Sequence, residues 1–208
     1  FLRKTFKNNK NLSNVASGDF ISNVIGALFW LYLAVLLTPE EYGEITYLVS
    51  IAAFASTLSM LGAYNSIVVL TAKNVKIQAT INFISSSAGL IAAIIVFFYI
   101  DKIEIGFLIF TYIFTNLVIP HIIGKKQFNE YFKIIVISKI LTVVSSLVLF
   151  YFIGYLGVII GLSTPLLLFS YKIFHIFNSI KIDFKLLKIH SKFVVTNYVL
   201  NISDSVAG

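Results

Sequence analysis

The chain has 208 residues, of which 58% are hydrophobic and only 12% charged, with a mean hydropathy of +0.92. A soluble globular domain carries roughly 25% charged residues, so there are too few charges here to clothe a water-facing surface. The net charge of +7 would suit nucleic acid in a soluble protein, but the lysines gather at the ends of apolar blocks, which weakens that reading, and no nucleic-acid partner is expected, while the lack of cysteine removes disulfides, thiolate metal sites and cysteine nucleophiles.

The amino-terminal tail holds Arg3, Lys4, Lys7 and Lys10, and the first apolar block runs from about Val15 to Leu37. That block is too long for the core of a cleaved signal peptide and reads as a retained anchor. Asp19, Ser22, Asn23 and Gly26 fall at helical spacing within it and make one polar stripe. Such a stripe either lines an aqueous cavity or bonds a neighbouring helix as packing glue.

The segment Thr38 to Gly43 reads as a connector, followed by a second span from Ile45 to Leu70 and a third from Ala79 to Ile100. Ala55, Ser59 and Ala63 in the second, with Ser85, Ser86 and Gly89 in the third, are small residues that let helices approach closely. A fourth span follows from Ile105 to Ile123, a fifth from Ile134 to Ile153 and a sixth from Leu156 to Phe177. Pro120 and Pro165 are expected to kink the fourth and sixth. Lys139 and Lys172 lie inside the fifth and sixth, near enough to the lysine-rich ends to extend toward the headgroups or to border a polar path.

A basic linker from Asn178 to Lys192 leads to a seventh apolar stretch that begins near Phe193. There Asn197, Asn201, Asp204, Ser205 and Gly208 share one face. Asp204 falls about 18 Å beyond Lys192 along a helix, close to mid-bilayer, where a carboxylate costs about 2.5–3.5 kcal/mol unless it meets protein or water. The chain opens on Phe1 without a methionine and stops at Gly208, short of the roughly 20 residues a span needs, so a longer parent protein is expected.

Charge sets the topology. The tail, Lys73 and Lys76, Lys125, Lys126 and Lys133, and Lys181, Lys185, Lys188 and Lys192 all fall on one side of this segmentation; Glu40, Glu41, Glu44, Asp101 and Glu104 gather on the other with Lys102 alone. Lysine and arginine in short loops are retained in the cytoplasm. An all-α, multi-pass protein of the cytoplasmic membrane with a cytoplasmic amino terminus is therefore expected. Its organisation would be a six-helix lobe over 1–177, a cytoplasmic linker over 178–192 and the start of a second lobe over 193–208.

The predicted outer loops are too short to hold a carboxylate pair or a nucleophile with its base, and no phosphate-binding glycine loop is present. No catalysis, cofactor or metal site is expected. His121, His175 and His190 have no partner at metal-ligand spacing and read as interfacial.

The run Leu36-Leu37-Thr38-Pro39-Glu40-Glu41-Tyr42-Gly43 resembles a turn of the polysaccharide flippases, the O-antigen and teichoic-acid type exporters of the multidrug/oligosaccharidyl-lipid/polysaccharide superfamily. The exit of the second span through Leu61, Gly62, Asn65, Thr71, Ala72 and Lys73 is similar too, as are the hairpin around Gly154, Gly157 and Gly161 and the basic linker before a polar seventh span. The family often has basic residues where this chain has Val35 and Val68 or Val69. The resemblance implies a two-lobe exporter that moves a polyprenyl-linked glycan between leaflets. Asp19, Asn23, Asn197, Asn201 and Asp204 would line its path, and Lys139 and Lys172 would attract the pyrophosphate. A drug antiporter of the same superfamily, coupled to H+ or Na+, and a glycan polymerase or ligase are the other functions weighed, beside a membrane scaffold.

Overall fold

The computed structural model describes residues 2–60, 62–179, 181–190, 192–194 and 196. Among them are eight helices: α1 (Leu2–Leu36), α2 (Pro39–Met60), α3 (Ala63–Ala72), α4 (Gln78–Ile100), α5 (Glu104–Gly124), α6 (Phe128–Ile153), α7 (Tyr155–Leu162) and α8 (Pro165–Ser179). Residues 184–190 are also helical. Six helical stretches are long and apolar enough to cross a membrane: Ser13–Leu36, Pro39–Met60, Gln78–Ile100, Glu104–Gly124, Phe128–Ile153 and Tyr155–Asn178. The chain is an all-α, multi-pass membrane protein.

Burial confirms which solvent these helices are built for. α4 and α6 have the highest mean hydropathies of the six, 2.2 and 2.3, yet only 11% of each apolar window is buried. In water the most apolar helix would be the most covered; here it is the most open, with Phe98, Tyr99 and Phe152 at least 80% exposed. Hydrocarbon is the medium that such surfaces match.

Two expected boundaries move. The second span starts at Pro39, not Ile45, because Thr38 and Glu41 form a capping box: the Thr38 N–H donates to Glu41 Oε2 at 3.0 Å and the Glu41 N–H donates to Thr38 Oγ1 at 3.3 Å. Pro39 takes the first helical position, where its missing N–H costs nothing. The same span is interrupted at Gly62, whose φ of 72° is left-handed, so that α2 and α3 are separate helices. The fifth span gains six residues at its start and begins at Phe128.

The two prolines behave differently. α5 runs unbroken through Pro120. Before Pro165 the sixth span breaks into α7 and α8, and the Gly161 carbonyl that loses its helical donor is satisfied instead by the Thr164 hydroxyl at 2.7 Å and the Ser145 hydroxyl at 3.1 Å.

The chain divides into two compact units. The first comprises residues 1–47 and 126–165, and the second residues 48–125 and 166–208. In the first, α1 packs along α6, and α6 turns at Gly154 into α7. A β-carbon on Gly157 would collide with the backbone of Leu149, and one on Gly161 with the backbone of Ser146; this close glycine seam is what lets the α6–α7 hairpin shut. In the second, α3 and α4 both pack on α5. Gly124 permits that contact, since a β-carbon there would stand 2.8 Å from the Val68 carbonyl oxygen.

Candidate functional site

The first unit carries a polar seam between α1 and α6. Asn14 donates from its amide to Asn129 Oδ1, the Tyr131 hydroxyl donates to Asp19 Oδ1, and the Tyr32 and Tyr151 hydroxyls lie 3.4 Å apart. Partner numbers rise together along the two helices, so α1 and α6 run parallel. Parallel helices are what an alternating topology gives its first and fifth passes, which three crossings separate.

Lys139 sits midway along this seam. It is the twelfth of the 26 residues of α6, about 16 Å from the helix start at 1.5 Å per residue. Its distance from the start of the apolar block at Ile134 is five residues, as the sequence suggests, because the residues that α6 adds ahead of that block include Glu130 and Lys133. A β-carbon on Gly26 would stand 2.7 Å from Lys139 Cε and 3.0 Å from its Nζ. The lysine thus lies across the one residue of α1 that leaves room for it. Among the described residues no hydrogen bond or ion pair reaches its ammonium. An ammonium in a low-dielectric interior interacts strongly with any anion that approaches it.

The stripe read on α1 separates into two faces. Asp19, Ser22 and Gly26 turn toward α6, with the Ser22 hydroxyl bonded to the Asp19 carbonyl at 3.2 Å. Asn23 points away and is exposed. The Asp19 carboxylate is therefore partly engaged as a helix–helix contact. Lys172 lies half-buried on α8, in the second unit. Asn197, Asn201 and Asp204 lie outside the described residues.

Pro39, Glu40, Glu41, Tyr42 and Gly43 form the first turn of α2, not a loop. Glu41 caps the helix, Tyr42 meets Trp30 edge to face with ring centroids 5.9 Å apart, and the position of Gly43 is open enough for a side chain. Local helix physics accounts for Thr38, Pro39, Glu41 and Tyr42 without a ligand.

Sequence reading missed a polar pair in the second unit. Gln78 and Asn82, 1% and 0% exposed, lie one turn apart on α4. Gln78 Nε2 donates to Asn82 Oδ1 at 2.8 Å and to the Leu117 carbonyl of α5 at 3.0 Å. The signal was present as two amides at i, i+4 at the head of an apolar run.

Comparison with family models, with curated proteins and with solved structures found no match for this chain.

Proposed function

We propose that this chain is part of a flippase that carries a polyprenyl-linked glycan from the cytoplasmic to the outer leaflet of the cell membrane by alternating access, with its amino terminus in the cytoplasm. No bond is made or broken in such a step. The observation that carries the reading is Lys139: a mid-span ammonium held over Gly26 with no anion beside it among the described residues. A cation in that place is costly for a protein that only needs to pack, and a pyrophosphate is the charge it would offset.

Further support comes from the likeness of 36–43 to the family turn and from the lysine asymmetry of the loops. In this reading Asp19 contacts sugar hydroxyls, together with Asn197, Asn201 and Asp204 beyond the described residues, and Lys139 holds the phosphate during passage. Lys139→Gln in the full chain should abolish glycan export in a complementation assay while membrane abundance stays unchanged. Lys139→Arg should retain part of the activity. Wild-type export by Lys139→Gln would overturn the proposal.

A further inference from the structure

The second unit contains a cavity of about 290 Å³ at the lysine-rich end of its helices, lined by the end of α3, the α3–α4 connector, the end of α5 and the last third of α8. Its lining includes Lys76, Lys125, His121 and His175, with Thr71 and Asn74 as further polar groups and no carboxylate. Lys76, Lys125 and His175 are exposed around its mouth, whereas His121 is buried at 6% exposure.

Local geometry explains why these residues converge. Asn74 adopts a left-handed φ of 60°, and the Asn74 and Val75 N–H groups donate to the Thr71 and Leu70 carbonyls at 2.9 Å, which closes a tight turn that leaves Lys76 at the rim. Lys125 caps the end of α5 through its N–H bond to the His121 carbonyl at 3.0 Å. The helix α4 begins at Gln78, which also lines the cavity, and no side chain caps it, so the positive end of its dipole adds to the lysine field.

The one acidic residue of the linker over 178–192, Asp183, is already engaged. Asp183 Oδ1 accepts the N–H groups of Lys185 and Leu186 at 2.8 and 3.2 Å, and the Asp183 N–H donates to Thr80 Oγ1 at 2.8 Å. This tether fastens the basic linker to the first turn of α4, and Phe184 packs edge to face on Phe83 with ring centroids 6.4 Å apart. Lys181, Lys185 and Lys188 are thereby kept with the end of the unit that carries the cavity.

From this convergence we propose that the cavity is a binding site for a phosphate group, of the kind borne by a phospholipid headgroup or a polyprenyl phosphate. Two ammonium groups from two elements can donate to its oxygens, and the two imidazoles line the cavity beside them. Val75 and Ile176 supply an apolar wall on which the first carbons of a lipid would rest. The cavity belongs to the second unit and the Lys139 seam to the first, and the proposal does not rest on the transport reading.

Native mass spectrometry of the full chain, purified in detergent, tests it with phosphatidylglycerol, phosphatidylcholine and inorganic pyrophosphate as probes. The wild type should retain phosphatidylglycerol over phosphatidylcholine, and a Lys76→Gln/Lys125→Gln variant should bind it at least about tenfold more weakly. A Lys73→Gln/Lys185→Gln variant removes the same charge from the same end but not from the cavity, and should bind as the wild type does. Displacement of the lipid by pyrophosphate would assign recognition to the phosphate alone; retention against pyrophosphate would assign it to the lipid headgroup with its chain. Equal weakening in both variants, or no preference for phosphatidylglycerol in the wild type, would overturn the proposal.

Discussion

Lys139 Nζ lies 3.0 Å from the place where a β-carbon would stand on Gly26. The smallest side chain on α1 and a long cation on α6 therefore occupy one volume between them. Substitution of either residue moves the ammonium.

Gly26→Ala should leave the fold intact, because the atoms it meets belong to the far end of a flexible side chain, and alanine favours a helix over glycine by about 1 kcal/mol. The cost falls on the position of Lys139. Export should drop toward the level of Lys139→Gln with unchanged membrane abundance, and the double variant should be no worse than Lys139→Gln alone. A complementation assay beside a membrane immunoblot reads both quantities.

The bond from Tyr131 to Asp19 joins α1 to α6 on the lysine-rich side of Lys139. Tyr131→Phe and Asp19→Asn should each destabilise the purified chain by about 1–3 kcal/mol, as expected for a hydrogen bond to a charged group. Their effects should not add. Thermal unfolding of the two single variants and the double variant would give a coupling of at least about 0.5 kcal/mol.

Glycines that look alike in the sequence should respond in opposite ways. Gly161→Ala drives a β-carbon into the backbone of Ser146 and should destabilise by about 1–3 kcal/mol or more, since neither backbone can yield without opening the hairpin. Gly43→Ala meets nothing within 4 Å and should leave stability unchanged or raise it by up to about 1 kcal/mol. The same unfolding measurement separates them. If Gly43→Ala keeps its stability and loses export, the glycine of the family-like turn serves the substrate and not the helix.

The absence of native cysteine allows topology to be read from single introduced thiols without background. Asn8→Cys and Lys126→Cys should react with a membrane-impermeant maleimide only after the cells are opened. Lys102→Cys should react on intact cells. Labelling of Lys126→Cys on intact cells would reverse the orientation proposed above.

Much of the architecture was legible because hydrocarbon is an exacting solvent: most of the few charges fall at span ends, and their alternation shows which ends share a side. Helix boundaries were less so. Hydropathy sees Ile45 as the start of the second span, but the capping box at Thr38 and Glu41 lets the helix begin in the polar run ahead of it.

By itself the sequence determined the medium, the six crossings and the shared side of the lysine clusters, since each follows from composition and order along the chain. Only tertiary structure decided which polar residues meet. It separated Asn23 from Asp19 on one helix, laid Lys139 over Gly26, and gathered Lys76, Lys125, His121 and His175 around one cavity. Those meetings depend on helix rotation and close approach, which small residues far apart in sequence permit and which no local pattern encodes.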